Sequence, residues 1–281
     1  MSFEQLELSS VALPDGAVIT YVREGAGVPL IMIHGVLGDY RSWAPQWEAF
    51  TKHYDCLSIS CRFSYPNGNT MEAPDHSAEA DGHDIAAFMD ALGIDKAILV
   101  ASSYGAFAAM TMLGNHPGRV LAVAAVEPPM MKYAEMFEDT GAVAAAFREA
   151  TVVPSRAAFE RGEDDLGAVL LTGGIRNIAP GDIPEPMMER RRQNIMAGRR
   201  VALSSDEFPL VDPQALAACK TPVLLMTGAK TAPIFTAIIT GIERVMPQAR
   251  FEVIDGVGHS VAQEKAEVFN PMVLEFLQAA I

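Results

Sequence analysis

The stretch that decides the fold is LVASSYGAF, residues 99–107, where one apolar run passes into a second through hydroxyl and small side chains. Ser103 is the centre of a small-x-Ser-x-small pentad, because Ala101 and Gly105 stand two residues to either side of it. Small residues there let a strand turn sharply into a helix, whose positive end then lies at the serine hydroxyl. The pattern predicts Ser103 as a nucleophile; a serine-rich loop that only caps a helix is the structural alternative.

Short apolar runs alternate with amphipathic runs along most of the chain. Six apolar runs have the length of buried parallel strands: residues 28–35, 55–61, 96–102, 120–127, 221–228 and 249–255. A turn at Pro14-Asp15-Gly16 joins residues 5–13 and 17–25 into an antiparallel hairpin before them. Amphipathic segments of crossover-helix length follow the runs: residues 42–53, 76–92, 103–116, 235–246 and 265–280. We expect an α/β fold with a mostly parallel eight-stranded sheet flanked by helices.

Residues 130–212 interrupt this alternation. They contain no strand-like run, and helix-like stretches occur in them around residues 132–150, 155–171 and 185–202. We therefore expect residues 130–212 to form a helical lid that is inserted between two parts of the core, residues 1–129 and 213–281.

A histidine follows the last predicted strand. The segment IDGVGHS, residues 254–260, leads from that strand through two glycines to His259. The carboxyl ends of parallel strands lie along one edge of a sheet, so we expect His259 to meet Ser103 there. A single histidine is more often a surface or core residue than a catalytic one. His259 is nevertheless the candidate base, because it follows the serine in the chain and comes after the last strand.

A glycine-containing turn follows the first parallel strand, in the segment HGVLG at residues 34–38. Glycines at such a turn let backbone N–H groups face a substrate. We expect the N–H groups of Val36 and Tyr104 to form an oxyanion hole together. His34 precedes the turn, and we expect it to support the loop from beneath rather than to act in catalysis.

These motifs, in this order, resemble the α/β-hydrolase superfamily, and the resemblance covers nearly the whole chain outside residues 130–212. It implies Ser103 as nucleophile, His259 as general base and the backbone amides of Val36 and Tyr104 as the oxyanion hole. It also implies acyl transfer without a metal or an organic cofactor. Serine at this position separates the chain from the haloalkane dehalogenases and epoxide hydrolases of the superfamily, which carry aspartate there.

The position of the catalytic acid departs from most of the superfamily. The usual loop reads GAKTAP, residues 228–233, and contains no carboxylate. Glu127 ends the apolar run VLAVAAVE, where a carboxylate is costly unless it has a partner, and the superfamily allows the acid there. We predict Glu127 as the partner that orients His259. Asp255 and Asp39 are the weaker competing acids, and a helix-capping or lid-anchoring role for Glu127 is the alternative.

Composition limits the classes of function and partner. Half of the 281 residues are apolar and the mean hydropathy is +0.17, which indicates a large core or an apolar substrate cleft. The net charge of −14 argues against binding to nucleic acid or to anionic membranes. The first residues lack the pattern of a secretory signal, and Cys56, Cys61 and Cys219 are odd in number. We therefore expect reduced thiols and a cytoplasmic location, and a homo-oligomer stays open.

The predicted activity is hydrolysis of an ester or lactone of a small, largely apolar substrate through an acyl-enzyme. The lid is rich in methionine, and we predict that Met130 and Met188 contact the substrate, although packing is at least as good an explanation for either. Arg190–Arg192, Arg199 and Arg200 are expected to form a solvated helix face, with an anion site as the alternative. Three rival functions stay open: a carbon-carbon bond hydrolase, a cofactor-free oxygenase or lyase, and a ligand-sensing receptor.

Overall fold

The computed structural model describes residues 3–70 and 75–281. The strands are Ser9–Ala12 (β1), Val18–Glu24 (β2), Pro29–Ile33 (β3), Asp55–Ile59 (β4), Ala97–Ser102 (β5), Val120–Val126 (β6), Val223–Gly228 (β7) and Arg250–Ile254 (β8). They form one sheet in the order β1-β2-β4-β3-β5-β6-β7-β8. The β1–β2 and β2–β4 pairs are antiparallel and the other pairs are parallel. The predicted α/β fold with an eight-stranded, mostly parallel sheet is therefore confirmed.

Helices cover both faces of this sheet. They are Ala44–Phe50 (α1), Ala78–Ala91 (α2), Tyr104–Asn115 (α3), Met131–Glu135 (α4), Glu138–Phe147 (α5), Val153–Glu160 (α6), Asp164–Arg176 (α7), Glu185–Arg192 (α8), Ile195–Ala202 (α9), Pro213–Ala218 (α10), Pro233–Val245 (α11), Val261–Glu264 (α12) and Ala266–Ala280 (α13). Helices α1, α12 and α13 pack on one face, and α2, α3 and α11 pack on the other. Within the described residues, no helix is both long and apolar enough to span a bilayer.

The central strands β3, β5, β6 and β7 are buried on both sides because their side chains are apolar at nearly every position. In β3, Leu30 and Met32 belong to the core cluster on one face, whereas Ile31 and Ile33 belong to the cluster on the other. All four are fully buried. Such continuous apolar runs are typical of parallel strands covered by helices on both faces, and they hold the carboxyl ends of β3, β5, β6 and β7 along one edge.

Six helices, α4 to α9, lie within residues 130–212, where the sequence predicts the lid. A π-helical turn at Arg148–Val152 joins α5 to α6. The predicted stretch at residues 185–202 is divided into α8 and α9 around the buried Asn194. The side chain of Asn194 donates to Asp39 and accepts from the backbone of Tyr65, so contacts with the core, more than helix propensity, set this break.

Candidate active site

Ser103 occupies the sharp turn between β5 and α3. Its backbone has φ 55° and ψ −125°, in the left-handed region that costs a non-glycine residue about 1–3 kcal/mol. Hydrogen bonds hold it there: its N–H donates to the carbonyl of Val126 at 2.7 Å, and its carbonyl accepts from the N–H of Phe107 at 3.0 Å. A strained serine at the end of a strand and the start of a helix is the geometry of a nucleophile elbow.

The small residues around Ser103 are required by close packing of α3 on β3. A Cβ atom at Gly105 would lie 2.3 Å from the carbonyl oxygen of His34 and 2.6 Å from that of Ile33. A Cβ atom at Gly35 would lie 3.1 Å from the Cβ of Ser103. The helix can therefore begin at this distance from the strand only if position 105 has no side chain.

His259 lies in the loop after β8, with Nδ1 at 2.5 Å from Oε2 of Glu127. Because a carboxylate oxygen only accepts, Nδ1 carries the proton and Nε2 is left as the basic nitrogen. The ring of Phe235 packs against the imidazole, with ring centroids 4.3 Å apart. His259 and Ser103 are both about nine-tenths buried and line the same cleft, which brings the predicted base and nucleophile together.

Glu127 is fully buried at the end of β6, at a positive φ of 45°. Its Oε1 accepts from the hydroxyl of Thr227 at 2.6 Å and the N–H of Gly228 at 2.9 Å. Its Oε2 accepts from the hydroxyl of Thr231 at 2.9 Å as well as from His259. Burial by itself would raise the pKa of Glu127, but the hydrogen bonds from His259, Thr227 and Gly228 outweigh it and lower that pKa below its usual value.

The loop that lacks the usual acid instead donates hydrogen bonds to Glu127. Gly228 and Thr231 belong to the GAKTAP segment, and both donate to Glu127. The competing acids lie elsewhere. Asp255 is exposed in the turn after β8, and the buried carboxylate of Asp39 is bound by Arg41. The structure therefore brings Glu127, and neither Asp39 nor Asp255, to the imidazole.

Asp39 instead joins the core to α8 and α9. It accepts from Nε and Nη2 of Arg41 at 2.8 and 2.6 Å and from the amide of Asn194 at 2.8 Å. Burial opposes the charge of Asp39, but these hydrogen bonds dominate and lower its pKa to about 2. Arg41 also donates to Gln193, so two residues from the α8–α9 junction are bound at this position.

The backbone N–H groups of Val36 and Tyr104 are the predicted oxyanion donors. No hydrogen bond within residues 3–70 and 75–281 uses either of them, and both residues line a cavity with Ser103. His34 supports this loop from beneath: its Nε2 accepts from the N–H of Cys61 at 3.0 Å, and its Nδ1 donates to the carbonyl of Gly35 at 2.8 Å. Burial lowers the pKa of His34, which favours the neutral ring that this pair of contacts requires.

Two spaces meet at Ser103. An inner cavity has about 60 Å³ of space for the centre of a water-sized sphere, and its walls are mainly apolar: Val36, Met131, Phe147, Val152, Leu171, Ile175, Val201, Phe208, Ile234, Phe235 and Ile238. The acid in its wall, Glu207, is paired with Arg148 at 2.9 Å and Arg156 at 3.2 Å. An outer cleft with about 470 Å³ on the same measure contains Ser103, His259 and residues of α7, α8 and α12.

The two methionines predicted to contact substrate lie behind these walls. Met130 is buried in the main core cluster, and Met188 is buried against Leu37 and Phe159. Their chain neighbours reach the spaces instead: Met131 lines the inner cavity and Met187 lines the outer cleft. Composition identifies a methionine-rich region, but it does not determine which side of a short helix faces the cavity.

Sequence reasoning did not identify other wall residues, such as Phe235 and Ile238, because each is one apolar residue in an ordinary amphipathic helix. Within the described chain, no three His, Cys, Asp or Glu side chains are grouped so that they could hold a metal ion.

Known proteins resemble this chain over most of its length. A family model described as alpha/beta hydrolase fold matches residues 28–266. A protein from Caulobacter sp. (strain K31), named provisionally as the carbamate hydrolase RutD, is 25% identical over 261 residues, which are 88% of this chain and 90% of that protein. The solved structure of Est816, described as an N-acyl homoserine lactone degrading enzyme, has a TM-score of 0.74 and 22% identity over 95% of this chain and 100% of its own.

A third similarity is to the epoxide hydrolase VrEH1 from Vigna radiata, with a TM-score of 0.77 and 20% identity over 99% of this chain and 100% of its own. These three proteins are named for action on a carbamate, a lactone and an epoxide. What this chain shares with them is therefore a fold, and that fold is found in enzymes that act on different bonds. The family model itself spans well over half of the chain, from before the HGVLG turn to beyond His259. The chain therefore belongs to the alpha/beta hydrolase fold family.

Proposed function

We propose that this protein is a serine hydrolase that cleaves an ester or lactone of a small, largely apolar substrate through an acyl-enzyme. The observation that carries the proposal is the strained Ser103, which shares a cleft with an imidazole that is hydrogen-bonded to a buried carboxylate. This combination activates a hydroxyl that is otherwise a weak nucleophile.

In the proposed reaction, Nε2 of His259 takes the proton of the Ser103 hydroxyl as Oγ attacks the carbonyl carbon of the ester. The oxyanion that forms is stabilised by the N–H groups of Val36 and Tyr104. His259 then gives its proton to the leaving alcohol, and the C–O bond of the ester breaks. A water molecule, deprotonated by the same nitrogen, attacks the acyl-enzyme and releases the acid, and the proton returns to Ser103.

Glu127 has two roles in this scheme. Its hydrogen bond from Nδ1 keeps the imidazole in the tautomer that leaves Nε2 basic, and its negative charge balances the imidazolium that forms in each step. Because Glu127 is fully buried and its pKa is lowered, the carboxylate is ionised at neutral pH and its interaction with the imidazolium is weakly screened.

The inner cavity supports a small apolar group as the part of the substrate next to Ser103. The centre of a water-sized sphere can move through about 60 Å³ of this cavity, so it has room for several heavy atoms, and its lining is mainly apolar. That volume corresponds to a short acyl chain. Glu207 in the wall is already neutralised by Arg148 and Arg156, which keeps the space suitable for an apolar group.

A fluorophosphonate probe tests the proposal directly, because it reacts fast only with a serine activated beside an oxyanion hole. We expect one label per chain, on Ser103, by intact mass and peptide mapping. Ser102→Ala is the matched control, because Ser102 lines the same cleft and should be dispensable for labelling. Labelling that persists in Ser103→Ala, or a wild-type protein that is not labelled, would overturn the assignment.

A further inference from the structure

The outer cleft has a charge opposite to that of the protein. Among the described residues, its walls include Arg176, Arg190 and Arg191 and a single acidic residue, Glu264, in a chain whose net charge is −14. A cleft lined by one sign of charge concentrates ligands of the other sign. An anionic ligand would bind most favourably to an arginine that has no acidic partner of its own.

Two of the three already have acidic partners. Arg176 forms an ion pair with Glu264 at 2.5 Å and also donates to the hydroxyl of Ser260. Arg190 approaches Asp39 at 3.5 Å, and its side chain is 43% exposed to solvent. Neither arginine is both desolvated and unpaired, so neither is the strongest candidate for binding a ligand.

Arg191 differs from the other two arginines in its surroundings. It is half-buried on α8, and its Nη1 donates to the hydroxyl of Thr172 at 2.8 Å. Among the described residues, no carboxylate forms an ion pair with it. Burial, together with the nearby charge of Arg176, lowers the pKa of Arg191 to about 10, which still leaves it cationic at neutral pH. A partly desolvated cation without a counter-charge is costly, and a bound anion would offset that cost.

We infer, on the basis of the proposed function, that the substrate is an anionic ester or lactone whose carboxylate binds Arg191 in the outer cleft while its apolar part enters the inner cavity. A planar guanidinium binds a carboxylate through two parallel hydrogen bonds, which fixes orientation as well as position. Arg191 and Ser103 line one cleft, so the anchor and the nucleophile act on the same bound molecule. The substrate class is then a half-ester of a short dicarboxylic acid, or a lactone that carries a carboxylate.

A matched pair of substrates tests this inference: ethyl hydrogen glutarate, which is anionic, and diethyl glutarate, its neutral counterpart. We expect the wild-type enzyme to have the higher kcat/KM for the anion. Arg191→Gln should lower that kcat/KM by about tenfold or more, mainly through KM, and leave the value for the neutral diester within about twofold. Arg191→Lys should recover only part of the loss, because an ammonium group lacks the planar fork.

The control is Arg192→Gln. Arg192 is the next residue on α8, but it is exposed and paired with Asp165 and Glu185 outside the cleft, so both kcat/KM values should stay at the wild-type level. Thermal unfolding verifies that each variant folds. Equal losses on both esters in Arg191→Gln, or a wild-type enzyme without preference for the anion, would overturn the inference.

Binding provides a readout that does not depend on turnover. In calorimetry, Ser103→Ala should bind ethyl hydrogen glutarate about tenfold or more tightly than the double variant that also carries Arg191→Gln. Equal affinities would refute the anchor. Fluorophosphonate labelling separates the two proposals: labelling of Ser103 without any preference for the anion removes the anchor and keeps the serine hydrolase, whereas absence of labelling removes the hydrolase.

Discussion

Oε2 of Glu127 lies 2.5 Å from Nδ1 of His259, across 132 positions of the chain. The two residues follow β6 and β8, and β7 lies between those strands in the sheet. The loop after β7 supplies Gly228 and Thr231 as donors to the carboxylate, so this loop holds Glu127 in place although it contributes no acid. The hydrogen bonds that join the imidazole, the carboxylate and its other donors therefore connect the carboxyl ends of three neighbouring strands.

Glu127→Gln should preserve folding and lower kcat for a short ester by about a hundredfold or more, since the amide neither fixes the tautomer nor balances the imidazolium charge. Steady-state kinetics measures the loss, and thermal unfolding confirms the fold. Asp255→Asn is the control, because Asp255 is exposed in the turn before His259. Near wild-type turnover in Glu127→Gln, with a loss in Asp255→Asn, would show that the acid is misassigned.

Met131→Ala should shift the preferred acyl chain of the substrate to a length about two to three carbons greater, because it removes three heavy atoms from the wall of the inner cavity. Comparison of kcat/KM along a series of p-nitrophenyl esters, from acetate to octanoate, measures the shift. Met130→Ala is the matched control, since its side chain packs in the core behind the wall. The same preference in wild type and Met131→Ala would remove Met131 from the substrate site.

Gly105→Ala should destabilise the protein by about 2 kcal/mol or more, because the new Cβ would overlap the carbonyl oxygens of His34 and Ile33, which belong to rigid backbone. Gly118→Ala is the control, as nothing lies within 4 Å of the Cβ it would add. Urea unfolding gives both free energies. If the two variants were equally stable, the close approach of α3 to β3 would not be what requires glycine.

Asp39 should make stability depend on pH in the acid range. Its pKa is about 2 in the folded protein, against 3.8 as the ordinary value, so ionised Asp39 contributes about 2 kcal/mol above pH 4. Because the folded-state pKa is the lower one, this contribution is lost as the pH falls from about 4 to 2. The difference in unfolding free energy between wild type and Asp39→Asn should shrink over that range. A constant difference would contradict the role of the Asp39 charge.

The sequence by itself determined the sheet and the position of Ser103 at the turn after β5, because both depend on local chemistry. Apolar runs such as that of β5 have the length and composition of strands buried on both faces, and the small residues at 101 and 105 permit a sharp turn around Ser103. Glu127 could also be predicted locally, since an unpaired carboxylate at the end of a buried strand is costly and the usual loop has no acid.

Only the tertiary structure decided which side chains surround the site. Thr231 contacts Glu127 across 104 positions, and a hydroxyl in a loop gives no sign of such a partner in the sequence. Whether Met131 or Met130 reaches the cavity depends on how a five-residue helix packs, and a helix that short has too few turns for its apolar side to be recognised. Arg191 stands between two other arginines in the sequence. Only its place in the cleft, without an ion-pair partner among the described residues, distinguishes it from them.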